Sequence, residues 1–430
     1  MGTAYRYQYL LSTTTCPGVT VMADRDCSEV ERVPLASLTR ADFEERFQRR
    51  NLPVVLTGVT DSWRCAREWL TPAGTPDLKR LASLFGSHVV TVHGERGRDG
   101  KRSRSEMTVG EYADWWTRRT PDSDPLYLKD WSLARLEPGY GAYETPACLG
   151  EDWLNEHWAA AAAEEADDTS SGDHRFVYVG PASSRTGIHA DVLFSYSWSV
   201  NVVGSKRWLL VPDEQRHLVS DEATQPLKID LADLLVAGGS SGGDGGGSKK
   251  RRLSSDGSGE AGGGVAAVRP LEVVQQAGEL LFVPSGWYHQ VENLTDCISV
   301  NHNWLNAHNA HWALLRLKQV LASVKSGLGE EEAEDSELCE QLLERRAGMS
   351  LGGLCDLLEG VLVRRRQGTE DQAQASAELQ FECERAASVL REALDLITLE
   401  YAQSLESEDM PERAEAVERQ QALLLDLEAP

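Results

Sequence analysis

The chain has 430 residues, 41% hydrophobic and 26% charged, enough for one large buried core and an appendage. Forty-three basic against 68 acidic side chains leave a net charge of −25. That excludes a general phosphate-backbone binder, hence direct nucleic-acid contact, and no apolar run approaches the ~20 residues of a membrane span.

The acid is uneven. Residues 330–430 carry 26 acidic and 9 basic side chains, whereas all 12 Trp lie between Trp63 and Trp312. The opening MGTAYRYQYLL lacks the basic start and apolar core of a secretory signal. Eight Cys without CxxC or zinc-ligand spacing predict reduced thiols in an intracellular, cytoplasmic protein, with the nucleus left open.

Residues 1–170 read as an α/β segment. Thr39 caps a helix with Asp42 at the capping-box position and Phe43 and Phe47 on one face. LPVVLTG (52–58) follows as a strand closed by Gly58. GERGRDGKRSRS (94–105) reads as a charged loop, and the Ala tract of 158–168 as a surface helix.

From Phe176 to Trp304 the pattern becomes short apolar runs separated by Gly, Pro, Asp and Asn: FVYVG, FSYSWSVNVVG, KRWLLVP, LEVVQQ, ELLFVP and CISVNHNW. Such runs predict a mainly β core over 171–306, a sandwich or barrel. The Gly/Ser-rich insert 238–264 has nothing to bury and is expected to be a disordered loop. Its Lys249–Arg252 patch is read as a solvated linker ahead of a nuclear-localisation signal. Residues 307–430 form an acidic helical extension, with Leu390, Leu394, Ile397 and Tyr401 on one stripe. That stripe must pack onto the barrel or pair two copies as a homo-oligomer.

Two HxD/E matches occur, His93/Glu95 and His189/Asp191, a number chance alone would supply. His93 abuts the charged loop and has no evident strand after it. His189 and Asp191 sit between β-type runs, where positions i and i+2 share a face and present two cis ligands to one metal. A facial two-His, one-carboxylate site needs a second imidazole, and His289, after GELLFVPSGW, starts a strand back towards the core. On position alone a hydrogen-bonded core histidine is the better reading of His289. Lys206 opens the strand KRWLLVP, where burying an unpaired ammonium is costly and a bound carboxylate is a fitting partner. Trp198, Trp208, Trp287 and Trp304 cluster nearby as candidate pocket walls.

On TGIHAD, the KRWLLVP strand and GELLFVPSGWYHQVENL followed by ISVNHNW, residues 171–306 resemble the jumonji-C double-stranded β-helix of Fe(II)/2-oxoglutarate oxygenases, a cupin or jelly-roll core. SLTRADFEERFQRRNLPVVLTG with Trp63 resembles the N-terminal segment of the small hydroxylases of that family. The resemblance implies a dioxygenase with Fe(II) held by His189, Asp191 and His289, and 2-oxoglutarate and O₂ as cosubstrates. It implies that Lys206 holds the distal carboxylate, and that Tyr127 and Thr186 hydrogen-bond the cosubstrate. Asn301 and Asn303 match polar contacts on the last core strand. Where relatives often carry Asn, this chain has Ser199, with Asn201 two residues on.

The hydroxylase branch implies hydroxylation of a lysine side-chain carbon in a protein substrate, the translation-termination release factor. An N-methyl-lysine demethylase and a non-catalytic cupin scaffold are the alternatives.

Overall fold

The computed structural model describes residues 29–96, 102–120, 123–164, 174–221, 225–227, 229–233, 268–370, 377–406 and 411–428. The insert 238–264 and its basic patch lie outside them.

The N-terminal part supplies β1 (Glu31–Pro34), α1 (Arg40–Phe43), β2 (Val54–Thr57), α2 (Arg64–Glu68) and α3 (Leu78–Phe85). It continues with β3 (Val89–Arg96), β4 (Arg102–Thr108), α4 (Val109–Arg118), β5 (Tyr127–Trp131), α5 (Leu133–Leu136) and α6 (Trp153–Glu164). The capping box of α1 is formed as expected: Asp42 N–H donates to Thr39 Oγ1 and Thr39 N–H to Asp42 Oδ2. Phe43 and Phe47 are both buried, Phe47 in a π-helical turn that continues α1.

The core strands are β6 (Arg175–Gly180), β7 (Arg185–His189), β8 (Tyr196–Val203), β9 (Lys206–Val211), β10 (Leu271–Gln275), β11 (Leu280–Val283), β12 (Tyr288–Asn293) and β13 (Cys297–Trp304). Each apolar run singled out in the sequence is one of these strands. They divide between a nine-stranded sheet, ordered β1-β2-β11-β8-β13-β6-β5-β3-β4, and a four-stranded sheet, β10-β9-β12-β7. The β-helix proper is the quartet β11-β8-β13-β6 facing the four-stranded sheet. The strands before residue 170 extend the larger sheet at both edges, β1 pairing parallel to β2 and β5 antiparallel to β6.

The charged stretch expected to be a loop is a hairpin up to its tip. His93 pairs with Arg104, and β4 runs from Arg102. β4 ends the sheet, and Arg104 and Glu106 are exposed on it; charge on an edge strand blocks pairing with another chain, so polarity here marks an edge.

Beyond Asn306 the chain is helical: α7 (Ala310–Ser326), α8 (Glu330–Glu334), α9 (Ser336–Ala347), α10 (Leu351–Glu370), α11 (Ala377–Glu406) and α12 (Pro411–Glu428). Leu390, Leu394, Ile397 and Tyr401 are all buried within this one chain. They join a second core that reaches the barrel through Trp153, Leu154, Leu193 and Leu305. Arg365 adds ion pairs to Glu151 and Glu382, spanning core and extension.

Candidate active site

β7 and β12 are antiparallel neighbours with His189 and His289 as Cα partners. Cross-strand partners project to the same face, so the two imidazoles meet, their centroids 4.2 Å apart. Each ring is set the same way. His189 Nδ1 lies 2.9 Å from Gly187 O and His289 Nδ1 3.0 Å from Trp287 O. A carbonyl only accepts, so both Nδ1 atoms carry the proton and both Nε2 lone pairs are left for a metal. Burial, reinforced by the His289 ring, holds the His189 imidazole well below its usual pKa, which keeps it neutral. His289 is 3% exposed, and the turn before it is made by Gly286 at φ 75°.

Asp191 differs from its expected place. β7 ends at His189, and Asp191 leads into a 3₁₀ turn, Val192–Phe194. Its backbone stays extended at φ −63°, ψ 154°, so the carboxylate still reaches the histidine face. Leu193 and Phe194 then adopt φ of 56° and 49°, bending the chain away. Ser197 Oγ donates to Asp191 Oδ2 at 2.6 Å, and His289 Nε2 stands 3.9 Å from the same oxygen. One ligand atom from each of His189, Asp191 and His289 falls within 4.8 Å of the others; this is the one such group among the described residues.

These groups line a cavity of about 220 Å³ between the two sheets. Lys206 lies in the same cavity, 1% exposed, its ammonium donating to Ser299 Oγ across the sheets at 2.6 Å. Desolvation pulls its pKa down to about 8. β9 pairs Lys206 with Asn293, four residues along β12 from His289. That is about 13 Å of strand, a gap that a lysine stem and a five-carbon diacid together bridge.

The cavity also gathers Tyr127, Thr186, Ser199, Asn301 and Asn303. Burial pushes the Tyr127 phenol up, keeping it protonated as a donor. Asn301 Nδ2 donates to Ser299 Oγ and Asn303 Nδ2 to Ser195 Oγ, each at 3.2 Å. Ser199 lines the cavity and Asn201 does not; Asn201 Nδ2 donates to Gln275 O. The Ser199 hydroxyl is buried without a hydrogen-bond partner among the described residues, as a group awaiting a polar ligand would be. The donor set thus fits a metal chelated by a dicarboxylate: neutral imidazoles, one carboxylate, a buried ammonium and an orphaned hydroxyl.

The four tryptophans do not act alike. Trp208 packs against His289, centroids 5.6 Å apart, its indole N–H donating to the buried Gln275 Oε1 at 2.8 Å. Trp198 also lines the cavity, as expected, and stacks on His302 with centroids 4.1 Å apart. Trp287 and Trp304 are core residues: Trp287, in the turn before β12, donates its indole N–H to Asn51 O, and Trp304, next to inward Asn303 on β13, points the other way. Sequence reasoning missed Ser197, Tyr178, Lys129 and Asp130, which also line the cavity. Period-two counting from Ser199 would have found Ser197, and from Tyr127 Lys129; nothing comparable marks Asp130.

A family model described as a cupin-like domain matches residues 40–310. The chain is 35% identical over 335 residues to the arginine-specific demethylase JMJ20 of Arabidopsis thaliana, covering 75% of this chain and 68% of that protein. It is 33% identical over 356 residues to the 2-oxoglutarate and iron-dependent oxygenase JMJD4 of Gallus gallus, covering 79% and 77%. It is 29% identical over 285 residues to the bifunctional arginine demethylase and lysyl-hydroxylase psr-1 of Caenorhabditis elegans, covering 66% and 63%.

Proposed function

The chain belongs to the cupin-like jumonji-C family and is a 2-oxoglutarate- and iron-dependent oxygenase, and from that premise we propose that it hydroxylates a lysine side-chain carbon in a protein. The translation-termination release factor is the substrate proposed, and the cytoplasm the compartment. The buried free thiols Cys65, Cys148, Cys297, Cys339 and Cys355 suit a reducing environment.

The observation that carries the reading is the convergence of His189, Asp191 and His289 in one cavity with Lys206. His189 Nε2, His289 Nε2 and the Asp191 carboxylate would hold Fe(II). Bound iron and 2-oxoglutarate supply, with O₂, the oxidising power that replaces a C–H hydrogen by hydroxyl and releases succinate and CO₂. The chain's own groups bind and orient. Lys206 neutralises the distal carboxylate, and Ser299 fixes the ammonium that does so. Thr186, Tyr127, Ser199, Asn301 and Asn303 offer the remaining hydrogen bonds around the cosubstrate. Ser197 fixes the Asp191 carboxylate, and the carbonyls of Gly187 and Trp287 fix the imidazole tautomers. Trp208, its indole held by Gln275, packs against the His289 ring.

Demethylation of an N-methyl group is the second reading, because two of the relatives are named arginine demethylases. A non-catalytic scaffold has no use for a buried lysine beside an intact triad. The test is incubation with recombinant release factor, Fe(II) and 2-oxoglutarate, read by peptide mass. Gain of one oxygen on a lysine without formaldehyde supports hydroxylation; formaldehyde with loss of a methyl group supports demethylation.

A further inference from the structure

Two charged groups of the cavity, Lys129 and Asp130, have no task in the reaction above. β5 and β6 pair with a register shift between Leu128 and Trp131, so Lys129 and Asp130 sit in a bulge beside the site. Asp130 takes a left-handed backbone, φ 56°, which aspartate tolerates better than most residues but still at a cost. The conformation places an exposed carboxylate at the cavity lining. Tyr178 Oη donates to Asp130 Oδ1 at 2.8 Å, and among the described residues no lysine or arginine forms a salt bridge with it. The Tyr178 ring lies 5.9 Å from Lys206 Nζ, so the residue that steadies Asp130 also borders the cosubstrate subsite.

Charge decides what Asp130 can do. Among the described residues the ionic side chains of the lining are Lys129, Lys206, Asp130 and Asp191, which sum to zero. Fe(II) and the 2-oxoglutarate dianion also cancel. A lysine brought in for oxidation of a side-chain carbon carries its ammonium within a few bonds of the metal. It meets two cations and two carboxylates, one of which is assigned to the metal. We propose that Asp130 is the specificity-determining residue for substrate, its Oδ2 taking the ε-ammonium while Tyr178 holds Oδ1. Without that carboxylate the enclosure is net positive and repels the side chain it must admit. An unmethylated ammonium offers three N–H donors to the carboxylate and a methylated one fewer, so the same contact favours plain lysine.

The proposal rests on the lysyl reading, and its test separates the two. The probe is the release-factor peptide whose lysine gains oxygen in the incubation above, made with lysine or with norleucine, which lacks the ammonium. Both are titrated calorimetrically, without oxygen, into the protein loaded with Fe(II) and 2-oxoglutarate, as wild type, Asp130→Asn and Asp130→Glu. Wild type is expected to prefer lysine by about tenfold or more, Asp130→Asn to bring the two within about twofold, and Asp130→Glu to keep part of the preference. An Asp130→Asn protein with the full preference overturns the proposal while the lysyl reading stands. If no lysine gains oxygen in the incubation, the lysyl reading falls first and takes the proposal with it.

Discussion

His189 and His289 form a cross-strand pair, in register between β7 and β12, although 100 residues separate them in the chain. The metal geometry therefore depends on strand register. A one-residue slip of β12 would turn His289 to the far face and leave His189 and Asp191 as an incomplete pair.

Replacing Asp191 with Ala removes the one carboxylate of the triad. Metal bound per protein, measured by elemental analysis, should fall to near zero with the fold retained, because the side chain lies at the cavity and not in a hydrophobic cluster. Ser197→Ala removes the bond to Asp191 Oδ2 and should weaken Fe(II) binding by roughly 10- to 100-fold. Undiminished metal binding in Asp191→Ala would show that other ligands hold the ion.

Lys206→Ala should raise the 2-oxoglutarate KM. A charge-assisted contact to a buried group is worth about 1.5–3 kcal/mol, roughly one to two orders of magnitude in affinity. An unchanged KM would assign the distal carboxylate to another cation, and Lys129 is the one other lysine among the described lining residues.

The depressed pKa of Lys206 sets a pH dependence. In the folded protein it titrates at about 8, below its ordinary 10.5. The unfolded chain therefore holds a proton between these values that the folded chain has lost, and this group makes stability rise with pH across that window. A carboxylate ligand draws the proton back. Cosubstrate affinity should be full below about pH 8 and fall above it, seen by titrating 2-oxoglutarate at several pH values. A flat profile would mean that the Lys206 charge is not used.

Deletion of residues 238–264, whose one large apolar residue is Leu253, should leave melting temperature and turnover near wild type. A large loss of either would give the insert a structural or gating part.

Truncation after residue 325 strips the partners of Leu305, Leu314 and Leu317 in the second core. Each buried Leu is worth roughly 1.5–3 kcal/mol, so the shortened protein should lose thermal stability and aggregate in size-exclusion chromatography. A monodisperse, equally stable and fully active product would show that the extension is dispensable.

The core strands were legible because their apolar runs are bounded by turn residues, and the triad because its ligands stand at strand ends. Lys206 was legible as a cation where burial is costly. The β3–β4 hairpin was not: its edge strand carries Arg and Glu, which read as loop when the neighbouring strands are unseen. Trp304 was misplaced because proximity in sequence does not say which face of a strand a residue takes, and Trp287 because it falls in the turn before β12. Asp130 was invisible because a bulge breaks the two-residue period by which inward positions are counted.

The most direct measurement counts succinate and oxygenated lysine in the same reaction, with wild type and Asp191→Ala. One succinate per lysine gaining one oxygen, without formaldehyde, and neither product from the variant, is the expected result. Succinate matched by formaldehyde, or turnover that survives the loss of Asp191, would contradict the account.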